Sequence, residues 1–154
     1  MHMQVRYDES HHEPVEISGD AELRFRADCC AFHAPVVLRG CRVEQLDLYA
    51  TYFHGGLRLE DCVVACPVVF QSGGHNRAPV AFVDVHFLES VDFEDCWFTG
   101  ELLLRRVVFA KPTNLLGNRG TPVEVTFDHA PVLDEVTGRL DLHTFGRGRE
   151  TPGA

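Results

Sequence analysis

Apolar residues in the middle of this chain recur with a rhythm that belongs neither to a helix nor to one long strand. From Val80 to Phe109 they fall at Val80, Phe82, Val85, Phe87, Val91, Phe93, Cys96, Phe98, Leu102, Leu104, Val107 and Phe109. The gaps run two, three, two and four residues and then repeat, giving an eleven-residue unit of two apolar doublets. A helix repeats every ~3.6 residues and an extended strand every ~2. The observed rhythm predicts a strand that bends every five or six residues.

The doublets extend backward through the chain. They begin at Leu23-Phe25 and Cys30-Phe32 and continue as Val36-Leu38 with Cys41-Val43, then Leu46-Leu48 with Thr51-Phe53. Leu57-Leu59 with Cys62-Val64 follows, and the run reaches Val68-Phe70. Residues 71–79, QSGGHNRAP, carry Gly-Gly, Asn and Pro and read as a loop that interrupts the pattern. Across 46–70 and 80–109 the register assigns twenty-two positions to the interior, and all but Thr51 hold Val, Leu, Phe or Cys. Between doublets stand HGG, ED, TGE and RR, the polar or glycine-bearing pieces that solvent-facing bends require.

Such a unit cannot bury its apolar side alone, so copies must stack, two to a coil of about 22 residues, with strands about 4.8 Å apart. The expected fold is all-β, a parallel β-helix (β-solenoid) of about four coils over residues 23–109, within a single domain spanning 1–154. Residues 1–22 are expected as an N-terminal cap, 110–145 as C-terminal strands or cap, and 146–154 as a flexible tail.

The strings FEDCWFTGELLLRRVVF and YFHGGLRLEDCVV resemble the pentapeptide-repeat proteins, closest to the divergent branch whose units read F-x-G-x-a-x-F-x-x-a-x-F. The resemblance covers about residues 23–109. It implies a right-handed quadrilateral β-helix, often dimeric, without enzymatic activity in most members. The family prefers Ala or Cys two places before the central Leu or Phe, at strict pentapeptide spacing. Here Val and Leu mainly fill that place, and every second corner holds an additional residue.

Composition narrows the functional classes. The chain has 154 residues, 45% hydrophobic and 24% charged, which suits one soluble globular domain. A net charge of −9 argues against a nucleic-acid backbone or an anionic membrane as partner. No apolar run approaches a membrane span and MHMQVRYDES has no apolar signal core, so the cytoplasm is the expected compartment. The six cysteines, at 29, 30, 41, 62, 66 and 96, form no C-x-x-C pair, which points to reduced thiols rather than a zinc ribbon. No cofactor is expected beyond a candidate divalent metal.

Coil length converts spacing into stacking. His33, His54 and His75 are twenty-one residues apart, and the first two each follow an inward Phe, so they should stack at one corner. His75 joins them if residues 71–79 keep the register. Imidazoles on adjacent coils are candidate ligands for zinc, nickel or copper, and their protonation would give a pH response. His11 and His12 read as part of a polar loop. Outward Tyr52 and Trp97 share a column two coils apart, and with His54 they are the candidate catalytic or groove-lining residues.

Outward apolar Val63, Val69, Ala81, Leu103 and Val108 are candidate interface positions. Either the C-terminal VEVTF or RLDLHTF strand covers them, or a partner or second copy does. The inward cysteines suit ladder packing, with Cys41 over Cys62 and Cys30 over Thr51, and Cys66 is the one candidate reactive thiol. Glu60-Asp61 and Glu94-Asp95 form acidic corners that could imitate DNA phosphates, as some topoisomerase-protecting pentapeptide-repeat proteins are thought to do. Arg39 and Arg105-Arg106 break that stripe. Asp128-His129 and Asp141 with His143 would be acid/base pairs lacking a nucleophile, and no G-x-S-x-G, Walker loop, dinucleotide fingerprint or H-E-x-x-H occurs. The expected function is a non-catalytic protein-binding or scaffold module that meets a protein partner or forms a homodimer. The rivals are a small enzyme or metal-binding protein using the histidine/aromatic corner, and a DNA-mimicking topoisomerase protector.

Overall fold

A computed structural model describes the backbone of residues 2–7 and all of residues 9–144. The strands in chain order are β1 His2–Tyr7, β2 Ser10–His11, β3 Val15–Ser18, β4 Leu23–Asp28, β5 Ala31–Phe32, β6 Val36–Arg39, β7 Arg42–Asp47 and β8 Tyr52–Phe53. They continue as β9 Leu57–Val64, β10 Val68–Val69, β11 Val80–Phe87, β12 Val91–Asp92, β13 Trp97–Phe98, β14 Leu102–Phe109, β15 Thr126–Phe127 and β16 Val132–Thr137. Every pairing between them is parallel, and no helix occurs among the described residues. The molecule is a β-solenoid of about five turns, its longest ladder running β1-β4-β7-β9-β11-β14-β16.

The register explains the eleven-residue rhythm. Val36 pairs with Leu57, Leu57 with Val80, and Val80 with Leu102, so one turn takes 21 to 23 residues. Each turn has four short faces. The first contains β3, β6 and the opening halves of β9, β11 and β14. The second holds the closing halves of those long strands, and the third holds the end of β7 with β10 and β12. The fourth is β2, β5, β8, Gly74, β13 and β15.

Two of the corners are turned by single residues in the left-handed region. Asp61, Asp84, Arg106 and Glu135 have φ of 51°, 54°, 50° and 55° where the first face meets the second. Cys29, Ala50, Ser72 and Asp95 have φ of 56°, 50°, 55° and 59° before the fourth face. One such residue redirects the chain without breaking the alternation on either side. Long strands therefore bend and keep their inward positions.

All twenty-two inward positions assigned over 46–70 and 80–109 are at most 3% exposed. Phenylalanines stack along the axis: Phe32 on Phe53 at 5.6 Å, Phe87 on Phe109 at 5.1 Å, and Phe98 on Phe127 at 5.9 Å between ring centroids, while Phe70 meets Phe53 at a tilt from the third face. Thr51 fits because its hydroxyl donates to the Ala27 carbonyl one turn below. The thiols of Cys62 and Cys96 do the same toward Leu38 and Phe70 carbonyls, at 3.4 and 2.7 Å. A small side chain with a hydrogen-bond donor is what the position after either corner accommodates.

Three expectations change. Residues 71–79 do not interrupt the coil: Gly74 bridges both Tyr52 and Trp97, and buried Asn76 ties this turn to the next. Its amide donates to the Ala78 and Glu101 carbonyls and its Oδ1 accepts from Gly100 N. There are about five turns rather than about four, because both ends join the stack. β1, β2 and β3 pair with β4, β5 and β6 as an opening turn. At the other end β15, within VEVTF, pairs with β13 and β16 with β14, while RLDLHTF forms no strand over its described residues 139–144 and instead bonds the backbone of Thr113 and Leu116 in the turn before.

Candidate functional site

The fourth face and the corner that follows it gather the imidazoles and the exposed aromatics. His12 stacks on His33 with centroids 4.7 Å apart and planes 7° from parallel, and His33 on His54 at 5.2 Å and 23°. All three occupy the same place in successive turns, because β2, β5 and β8 pair in register just before them. His12 belongs to this column although it reads as a loop residue in the sequence. The signal was available, since His12 precedes His33 by the same twenty-one residues.

His75 is brought to the same surface by a different route. Its ring lies 4.2 Å from Tyr52 and 5.4 Å from Trp97, centroid to centroid. Its neighbours in the stack, Phe53 and Phe98, point inward, whereas His75 is turned out with φ of 50°. Among the described non-glycine residues with positive φ, His75 is the one outside the two corner columns. The bend of the coil therefore does not account for it. What the conformation achieves is an imidazole between Tyr52 and Trp97, and strain of this kind concentrates where a side chain must be delivered.

The rings form a continuous ribbon, His12, His33, His54, Tyr52, His75 and Trp97, with Tyr52 6.0 Å from His54. Tyr52 and Trp97 are 36% and 44% exposed. The indole N–H of Trp97 donates to Asp128 Oδ1 at 2.8 Å, which fixes the ring on the surface. Gly74 makes room between the two aromatics: a Cβ there would sit 2.4 Å from the Trp97 carbonyl oxygen.

Charge on this ribbon departs from that of the whole chain. Burial lowers the pKa of His54 below 6.5, and His33, Arg77 and His75 reinforce the effect. Arg77 is exposed and has no ion-pair partner among the described residues, unlike Arg26, Arg39, Arg58 and Arg106, which each meet a carboxylate. Beside the ribbon runs a shallow groove of about 240 Å³ lined by Pro35, Val37, Gly56, Pro79 and Ala81.

As metal ligands, His33, His54 and His75 are close but not convergent. Imidazole lone pairs lie in the ring plane, so near-parallel stacked rings present them side by side rather than at one point. Among the described residues no group of three or more His, Cys, Asp or Glu is placed to hold a metal ion.

The outward apolar residues are divided among three faces, with Ala81 and Leu103 paired on the first and Val132 next to Leu103 in the same ladder. Val63 and Val108 lie on the second face with His86 between them, Val69 on the third, and Leu103 on the first. Cys66, the candidate reactive thiol, is pushed up to about 11 by burial and so stays protonated at neutral pH. Of the acidic corner residues, Glu60 meets Arg58 and Arg39 and Asp95 accepts from the Ser72 hydroxyl; elsewhere Asp84 accepts a bidentate Arg106 and Arg105 meets Asp134. Asp128 accepts from Trp97, Asp141 pairs with Arg139, and the His143 ring lies 3.2 Å from the Gly117 carbonyl. Comparison with protein-family models, curated proteins and solved structures found no match for the chain.

Proposed function

We propose that this chain is a pentapeptide-repeat-like solenoid acting as a non-catalytic protein-binding module, with the Tyr52–His75–Trp97 ribbon as its contact surface. The observation that carries the reading is the pair of exposed aromatics held in place on a stacked backbone, Trp97 by Asp128 and Tyr52 against His75. Tyrosine and tryptophan anchors dominate binding energy at interfaces, and a side chain already ordered loses little entropy on docking. A binding role accords with an open ribbon whose rings stack edge-outward rather than converge on a reacting atom. The cytoplasmic placement rests on six cysteines that are all free.

The test compares proteins retained from a cell extract by the immobilised chain with those retained by a Tyr52→Ala/Trp97→Ala variant of unchanged circular dichroism. A discrete set lost from the variant is expected. Identical sets would remove the ribbon as the contact surface.

A further inference from the structure

Resting on that reading, we infer that the ribbon recognises an acidic, extended peptide segment of its protein partner. The chain has 23 Asp and Glu and a net charge of −9, so acidic side chains are spread over most of its surface. They are missing from one strip. The four stacked segments AFHAP (31–35), YFHGG (52–56), GHNRAP (74–79) and WFTG (97–100) contain no carboxylate. In their place stand His33, His54, His75 and Arg77, and His12 extends the column by one turn.

Charged groups border the strip on several sides: Arg58 lines the groove, Glu9 lines a hollow with Tyr52, and Glu101 follows Gly100. Arg77 acts on His54 together with His33 and His75. Asp128, at the Trp97 end, is engaged by the indole N–H, and Glu13 follows His12 at the other end. Between those limits His33, His54, His75 and Arg77 have no ion-pair partner among the described residues. An anion arriving there completes charge-assisted hydrogen bonds without displacing existing ion pairs.

Shape selects the form of the ligand. The imidazoles of His12, His33 and His54 are about one strand spacing apart along the axis, in a line three turns long, with His75 beside it against Tyr52. An extended peptide presents side chains of one face about every 6.6 Å, so carboxylates at alternate positions can reach this line when the chain runs along it. The groove of Pro35, Gly56 and Pro79 alongside offers an aliphatic residue of the same segment an apolar seat. Protonation strengthens the match, and each imidazole that accepts a proton converts a neutral contact into an ion pair.

Trp97 is the only tryptophan in the chain, so its fluorescence reports on the strip directly. The probe is a capped nonapeptide alternating Glu and Ser with a central Leu, compared with the same peptide carrying Gln for Glu. At about pH 6 the Glu peptide should bind roughly tenfold more tightly, with the preference shrinking toward about pH 8. His33→Gln/His54→Gln should abolish the preference, and Arg77→Gln, a solvent-facing change that leaves the ring stack untouched, should weaken it. Equal affinity for the Gln peptide, a preference indifferent to both variants, or no binding of either peptide overturns the inference. Any of these leaves the contact-surface reading standing if the Tyr52→Ala/Trp97→Ala variant still loses proteins from extract. A dimer in sedimentation experiments without peptide, dissociated by His33→Gln/His54→Gln, overturns it in favour of a second copy of this acidic chain.

Discussion

At the scale of single residues, His54 and Phe53 show how adjacent side chains answer to different physics. Burial and the neighbouring His33, Arg77 and His75 lower the His54 pKa from 6.5, so the folded chain takes up this proton less readily than the unfolded one. The contribution of His54 to stability is complete above pH 6.5 and is lost as the pH falls from there through the folded value. Urea midpoints measured at about pH 8 and about pH 5 should therefore fall less in His54→Gln than in the wild type. An equal fall in both would show that this imidazole is not repelled in the fold. Phe53 is fully buried and stacks on Phe32 with planes 5° from parallel. Phe53→Ala should cost about 3–5 kcal/mol in urea denaturation, because rings above and below are held by backbone ladders and cannot collapse into the hole. A loss below about 1 kcal/mol would mean that the Phe stack is not a rigid column.

At the scale of elements, the turn containing 71–79 is where composition and ladder compete. Its Gly-Gly, Asn and Pro are ordinary loop signals, yet Gly74 pairs on both sides and Asn76 uses its side-chain amide to bond the next turn. Gly74→Ala places a Cβ against the Trp97 carbonyl at a φ of 98°. It should destabilise the chain by about 1–3 kcal/mol and shift Trp97 emission. An unchanged spectrum at unchanged stability would argue against this close approach. The C-terminal segment is held in a related way. Thr144 accepts from Asn114 and Asn118 through its hydroxyl, which is also 3.4 Å from buried Glu94. Thr144→Val should cost about 1–3 kcal/mol, read as a lower melting temperature. The inward register was legible from sequence because alternation and bend recur together from Leu46 to Phe109. The 71–79 turn and the TNLLGNRG stretch were not, because there side chains of Asn76 and Asn114 supply hydrogen bonds that backbone supplies elsewhere. His12 was hidden for another reason. A polar N-terminal segment shows too little alternation to declare a turn, although its spacing to His33 was in plain view. His75 could be counted into the column by spacing, but its outward turn against Tyr52 and Trp97 depends on backbone geometry that no spacing encodes.

At the scale of the whole molecule, a solenoid is held by contacts between neighbouring turns, so stability is distributed by position in the stack. A turn in the middle is paired on both sides: β9 with β6 and β7 below and β11 above, and β11 with β9 and β14. β16 is paired only with β14 within the described residues, and its Val132 and Leu133 are 42% and 39% exposed. The ribbon from Tyr52 to Trp97 lies among the doubly paired turns. Its amides are bonded from turn to turn, with Phe53 N to Gly74 O at 3.1 Å and Trp97 N to Gly73 O at 2.9 Å. Native-state hydrogen exchange should therefore be slowest in β9, β11 and the Tyr52, Gly74 and Trp97 segments, and faster in β16. That gradient bears directly on binding. If the slow core includes the ribbon, docking meets a surface that is already ordered, and a partner's affinity is set by contacts rather than by folding the site. If the 71–79 segment instead exchanges as fast as β16, the histidine and aromatic rings are not held in register before contact. The rigid-surface reading would then fail even with every strand in place.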